Sequence, residues 1–141
     1  MNQAPILYPI AAMLLLTTVV AALLLRERIT EMKARRIHPQ QLPSSSQMSA
    51  TLQQTRAADN YKNLFEMPVM FYVLCLALYA TQLASSGFVM AAWAYVALRV
   101  LHSVIHVGYN TVMHRFAVFA LSSTLLLAMW IAFVVQLAQR S

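Results

Sequence analysis

The chain has 141 residues, of which 60% are hydrophobic and only 10% are charged, and it carries a net charge of +6 at pH 7. An average soluble domain is about 45–50% apolar and about 25% charged. These proportions therefore exclude a disordered chain, a disulfide-stapled secreted module and an ordinary soluble enzyme. The single cysteine, Cys75, cannot form an intramolecular disulfide. A mean hydropathy of +0.62 indicates a membrane protein. Its basic residues are then expected to face anionic lipid headgroups rather than nucleic acid.

Four long apolar segments fit four membrane spans, because a spanning helix needs ~20 residues. Uninterrupted apolar runs of this length exclude the strands of a membrane barrel, whereas helices satisfy their own backbone polar groups in hydrocarbon. We predict an all-α integral membrane fold, a bundle of four transmembrane helices in a single membrane domain over residues 1–141. The predicted helices cover about 5–36, 61–84, 88–109 and 116–138, with a polar connector over 37–58.

The first apolar segment, residues 5–25, resembles a signal peptide in length. Its start, Met1-Asn2-Gln3, lacks the positive charge that a signal peptide needs, and no small-residue cleavage site precedes Arg26. We expect a retained helix that continues as a polar stalk through Arg36, until His38-Pro39 stops it.

The connector contains Pro39, Pro43 and the triplet Ser44-Ser45-Ser46, a composition typical of a loop or a short cap. Ser85-Ser86-Gly87 predicts a tight turn between the second and third helices. Residues 110–115 predict the turn between the third and fourth.

The basic residues predict the orientation, because loops on the cytoplasmic side carry the excess of Lys and Arg. Eight lie beside the connector or at the turn after the third helix, and only Arg140 lies near the opposite end. The eight are Arg26, Arg28, Lys33, Arg35, Arg36, Arg56, Lys62 and Arg115. We expect a multi-pass protein with both termini outside the cytoplasm. The short, compact chain is typical of a bacterial protein, which predicts the inner membrane.

Two charges, Glu66 and Arg99, fall within the apolar runs. Charges at such positions usually face the bundle interior and mark function. We hypothesise that they pair, within one subunit or between subunits. Asn63 shares a helical face with Glu66 because it lies three residues earlier. Pro68 predicts either a helix start or a mild kink.

Arg99, His102 and His106 are spaced three and four residues apart, which places them on one face of a helix. Two histidines at this spacing can share a metal ion, but Glu66 is the only candidate for a third ligand. No other span carries a histidine that could complete a haem site. We therefore predict no metal site, with hydrogen bonding across helices as the ordinary role of both histidines. Arg115 is either a topogenic anchor or a cation that projects into a cleft, where it suits a carboxylate or a thiolate.

Two motifs together resemble the sequence pattern of the MAPEG family, the membrane-associated proteins in eicosanoid and glutathione metabolism. The first is Asn63-x-x-Glu66 followed by Pro68. The second is Arg99-x-x-His102-x-x-x-His106 with Arg115 nine residues further on. The resemblance extends over nearly the whole chain, although His106 stands where the family has a tyrosine. It implies a homotrimer that holds glutathione, as a co-substrate, between neighbouring subunits.

The resemblance also implies roles for individual residues. Arg115 matches the catalytic arginine that stabilises the glutathione thiolate. The residues that match glutathione contacts are Asn63, Glu66, Arg99, His102, His106 and a basic residue at the end of the first helix, Arg28 or Arg26.

These matches favour a glutathione-dependent transferase or peroxidase that acts on a lipophilic small molecule dissolved among the membrane lipids. One alternative is a non-enzymatic member of the family that binds a lipid or a thiol. The other is a small multidrug transporter, whose essential glutamate lies in the first helix. The first apolar segment here has no charge.

Overall fold

The computed structural model describes residues 2–53 and 55–140, so residue 54 of the predicted connector lies outside the described residues. Within those two ranges the chain forms helices and turns without any strand, which confirms the predicted all-α class. Short 3-10 helices cover Ala4–Ile6 and Pro39–Gln41. The α-helices are α1 (Leu7–Arg35), α2 (Ser45–Thr51), α3 (Arg56–Asn63), α4 (Met67–Ala80), α5 (Ser86–Val107) and α6 (Val112–Ala138).

Four helical segments are long and apolar enough to cross a membrane, as predicted: Ala4–Arg35, Arg56–Ala80, Ser86–Val107 and Val112–Ala138. α5 packs along α6, and α1 packs against α3, α4 and α5. The core between them includes the stacked rings of Phe71 and Tyr95, whose centroids lie 4.5 Å apart. Many large apolar side chains on the outer faces stay exposed, as a surface in contact with lipid tails requires.

The second span is broken at residues 64–66, between α3 and α4. Pro68 is at the start of α4 and has no N–H to donate, and its ring would clash with the carbonyl of Leu64 in a continuous helix. The chain therefore leaves the helix after Asn63, passes through Glu66 (φ −96°, ψ −96°) and restarts at Met67. The span begins at Arg56 and ends at Ala80, rather than covering 61–84. Of the two predicted effects of this proline, the helix start is the observed one.

The connector forms a structured cap on the end of α1. Its helix α2 begins with a capping box, in which Ser44 accepts from the Gln47 amide and the Gln47 side chain accepts from the Ser44 amide. Glu31 on α1 accepts a hydrogen bond from the backbone N–H of Gln53 at 2.7 Å. Arg35 donates to the carbonyl of Thr51 at 2.6 Å. These bonds tie the connector to the stalk of α1.

Both helices of the C-terminal pair begin earlier than predicted. Ser85 is the N-cap of α5, so Ser86 and Gly87 belong to the helix rather than to a turn. α6 begins at Val112, so Arg115 lies in its first turn instead of in the preceding loop. The turn between them is short, and Asn110 adopts a left-handed conformation there with φ 52°.

Candidate functional site

A cleft of about 340 Å³ opens at the end of the bundle where the connector lies. Its walls come from α3 and the break that follows it, from the C-terminal half of α5 and from the start of α6. Arg56 fixes these elements to one another, since its Nη1 donates to the carbonyl of Gly108 in the α5–α6 turn at 2.8 Å. The polar lining residues are Asp59, Lys62, Asn63, Glu66, His102, His106 and Arg115.

Five of the seven predicted site residues line this cleft: Asn63, Glu66, His102, His106 and Arg115. Arg99 lies directly behind the lining, bonded to Asn63. Arg28 is half-buried on α1 and does not belong to the lining of the cleft. The geometry thus brings six of the seven together within one chain, while their roles stay predictions.

Arg99 is fully buried and is joined to Glu66 through the side chain of Asn63. Its Nη2 donates to the Oδ1 of Asn63, and the Nδ2 of Asn63 donates to Glu66 Oε2 at 3.3 Å. The guanidinium also lies 6.0 Å from the ring centroid of Phe119, within range of a cation–π contact. Within one chain the amide therefore separates the two charges that we expected to pair directly. Pairing between subunits stays a prediction.

His102 and His106 lie on one face of α5, as their spacing predicts, and both line the cleft. The rings of His102 and His106 lie 5.6 Å apart, and the ring of His102 lies 6.1 Å from that of Phe119. Across residues 2–53 and 55–140, no three His, Cys, Asp or Glu side chains come close enough to share a metal ion.

Arg115 is held from two sides by acceptors on the cleft wall. Its Nη1 donates to the Oδ1 of Asn110 at 2.9 Å and to the Nε2 of His106 at 3.3 Å. These two bonds use both hydrogens of that nitrogen. Among the described residues, no partner bonds the Nη2 and Nε groups, which leaves three further N–H donors for a ligand.

Sequence reasoning missed Asp59, Lys62 and Asn110. Asp59 lies four residues before Asn63 and so shares its face, but the predicted helix began only at residue 61. Lys62 directly precedes Asn63, and its charge contributes only to the predicted orientation. Asn110 contacts Arg115 through the left-handed turn, which the sequence spacing alone did not indicate.

The apolar part of the cleft comes from the first two turns of α6, where Val112, Phe116 and Phe119 line it. Phe116 is 64% exposed, so this wall continues directly into the outer surface of the bundle. The cleft therefore joins a charged wall, which faces the polar connector end, to an apolar wall that faces the lipid side of α6.

Comparison with known proteins identifies a family. The sequence model of the MAPEG family matches residues 6–135, nearly the whole chain. A search of curated proteins and a search of solved structures each find no match.

Proposed function

The chain belongs to the MAPEG family and is thus a multi-pass integral membrane protein, and we propose that it is a glutathione-dependent transferase or peroxidase that acts on lipophilic electrophiles. The single observation that carries this proposal is the convergence of Asn63, Glu66, His106 and Arg115 on one cleft. Proteins of this family act in glutathione or eicosanoid metabolism, and the charges of the cleft favour glutathione.

Glutathione carries two carboxylates, one ammonium group and one thiol. The cleft offers two cationic side chains, Lys62 and Arg115, beside two carboxylates, Asp59 and Glu66. A guanidinium binds a carboxylate through two parallel N–H groups, and a carboxylate binds an ammonium group. A zwitterionic tripeptide matches this mixed lining better than a uniformly acidic or uniformly apolar ligand does.

Arg115 is the residue to which we assign thiolate stabilisation. A neighbouring cation increases the fraction of a thiol that is ionised, and the thiolate is the nucleophile. The three N–H groups of Arg115 that have no partner in the described chain can bond the sulfur without breaking its contact with Asn110. The thiolate then attacks an electrophile that reaches the cleft along Val112, Phe116 and Phe119.

We further propose that the cleft is completed by a neighbouring copy in a homotrimer. Its outer side is open, and Arg28, the expected basic contact from the first helix, lies away from it in the same chain. A second copy packed against the exposed apolar faces could supply its own Arg28 to the open side. Burial of those faces would also favour association, since they are apolar and extensive.

The experiment that tests the function is calorimetric titration of the detergent-solubilised protein with reduced glutathione. We expect saturable binding that Arg115→Ala weakens by about tenfold to a hundredfold, because a hydrogen-bonded charge is lost. His114→Ala is the matched control, since His114 is the exposed neighbour of Arg115 on α6 and lies outside the cleft lining.

Turnover is measured with glutathione and a long-chain conjugated aldehyde. Formation of the thioether, abolished in Arg115→Ala but retained in His114→Ala, supports the transferase. Saturable binding without turnover of an aldehyde or a hydroperoxide favours the non-enzymatic alternative. Absence of glutathione binding at millimolar concentrations contradicts the proposal.

A further inference from the structure

His106 occupies a position in the cleft that its neighbours make chemically specific. Its side chain is only 5% exposed, yet it lines the cleft beside Arg115. A guanidinium donates hydrogen bonds and accepts none. The contact between Arg115 Nη1 and His106 Nε2 therefore requires a lone pair on Nε2. The imidazole is then neutral, with its hydrogen on Nδ1.

The charges around His106 favour this neutral state in the absence of a ligand. Arg115 contacts the ring, and Arg99 is buried about two turns earlier on the same helix. A positive charge on the ring would be repelled by both guanidinium groups. The other titratable groups of the cleft are His102 on α5, Asp59 and Lys62 on α3, and Glu66 at the break.

A thiolate in the cleft reverses that balance. Transfer of the thiol proton to Nε2 creates one negative and one positive charge together, so the net charge of the cleft does not change. The new imidazolium then lies beside the thiolate as well as beside Arg115. Protonation of His106 alone is thus unfavourable because of the two guanidinium groups. When the sulfur ionises at the same time, the negative charge of the thiolate compensates the new positive charge.

We propose that His106 is a catalytic residue that accepts the thiol proton of bound glutathione, an inference that rests on the proposed function. The S–H bond breaks, its electron pair stays on sulfur, and the proton forms an N–H bond at Nε2. Arg115 keeps its bond to Asn110 and donates to the sulfur from its Nη2 and Nε groups, while the imidazolium ring turns its new N–H from Nη1 toward the sulfur. With a conjugated aldehyde as electrophile, the thiolate forms a C–S bond at the β-carbon. The π electrons move to the carbonyl oxygen, and the imidazolium returns the proton to the resulting enolate.

The test counts the protons that leave the protein when the thiolate forms. Glutathione is titrated calorimetrically in buffers of different ionisation enthalpy, which gives the number of protons released, and ultraviolet absorbance measures the thiolate. His106→Gln is the decisive variant, because its amide oxygen can still accept from Arg115 but cannot take up the proton. His114→Gln is the control for loss of a histidine outside the cleft.

The wild-type protein and His114→Gln should form thiolate with almost no proton release, over a broad range of pH. His106→Gln should release about one proton per thiolate, and its thiolate fraction should rise about tenfold per pH unit below the midpoint. Its rate with the conjugated aldehyde near pH 7 should fall about a hundredfold, which is typical for loss of a general base.

A full proton released per thiolate by the wild-type protein overturns the role of His106 and leaves Arg115 as the activating group. Glutathione that binds but remains a thiol overturns it as well. Either result leaves glutathione binding intact, whereas absence of binding heat overturns the proposed function and this inference with it. The wild-type proton count decides the question even if His106→Gln fails to fold.

Discussion

At the scale of single residues, Asn63 is central because its amide is the described contact between a buried cation and the cleft. Its Oδ1 accepts from Arg99, and its Nδ2 donates to Glu66. An amide suits this position because it can accept from one charged group and donate to the other at the same time. The remaining nitrogens of Arg99, Nε and Nη1, are buried without a partner among the described residues. The bond to Asn63 therefore carries much of the compensation for burying that charge.

Asn63→Ala should lower the free energy of unfolding by about 1.5–3 kcal/mol, the usual value of a hydrogen bond to a charged group. Thermal unfolding in detergent measures the change. Glu66→Gln is the matched variant, since its amide oxygen can still accept from Asn63. Glu66→Gln should lower the free energy of unfolding by well under half as much as Asn63→Ala does. Equal losses for the two variants would mean that the charge of Glu66, rather than the amide of Asn63, compensates Arg99.

At the scale of the elements, the α5–α6 turn sets the geometry of the cleft. Gly108 ends α5, its carbonyl receives the bond from Arg56, and Asn110 follows with the left-handed conformation that brings its side chain to Arg115. A Cβ atom on Gly108 would lie 2.7 Å from the carbonyl oxygen of Val104, closer than real Cβ contacts occur. The close approach of this turn to α5 therefore requires glycine.

The two glycines of the chain give a matched pair of substitutions. Gly108→Ala should destabilise the protein by about 1–3 kcal/mol, as overpacking does, and it should weaken glutathione binding because the turn moves. Gly87→Ala should stabilise α5 by up to about 1 kcal/mol, because its Cβ would meet only the Oγ of Ser85 at 3.7 Å. Unfolding and glutathione titration of both variants check the contrast. A tolerated Gly108→Ala would show that the turn has room to shift without consequence.

The elements also show what the sequence could predict. The shared face of Arg99, His102 and His106 followed from their spacing, because an apolar run of this length permits only a helix. The break after Asn63 was harder to place, since Pro68 is compatible with a kink or a helix start and packing decides between them. The contact between Asn110 and Arg115 depends on a single left-handed residue in a short turn, and spacing alone gives no such geometry. The short helix α2 has a local signature in the sequence, since Ser44 followed by Gln47 three residues later is a capping box.

At the scale of the whole molecule, the cleft, the connector and eight of the ten basic residues lie toward one end of the bundle. If the basic end faces the cytoplasm, as the excess of Lys and Arg predicts, the cleft faces it as well, and both termini lie on the other side. The connector is bonded to α1 through Glu31 and Arg35, and Glu27 accepts from the N–H of Ala57 at the start of α3. These contacts hold the cleft end together, while the outer side of the cleft remains open.

Mixed oligomers test whether a neighbouring subunit completes the cleft. Arg28→Ala and Arg115→Ala should each bind glutathione weakly alone. When they are unfolded, mixed in equal amounts and reassembled, about a quarter of the interfaces should combine an intact Arg28 with an intact Arg115 from the adjacent copy. Calorimetry should then recover about that share of the sites with full affinity. Lys33→Ala, an exposed basic residue further along α1, serves as the control and should bind normally. No recovery in the mixture would place both arginines in the same subunit or remove Arg28 from the site.

The two walls of the cleft have a consequence for the choice of substrate. One wall carries Lys62 and Arg115, and the other carries Phe116 and Phe119. Under the proposed function, the charged wall receives glutathione from water and the apolar wall receives the electrophile from the bilayer. In the proposed reaction the protein would act as a phase-transfer catalyst does, because each reactant arrives from the solvent that dissolves it best. The bilayer concentrates an electrophile according to its oil–water partition coefficient before any side chain contacts it. Chemically unrelated compounds of equal lipophilicity would therefore reach the cleft at similar local concentrations, and discrimination among them would rest on their reactivity toward sulfur more than on their shape.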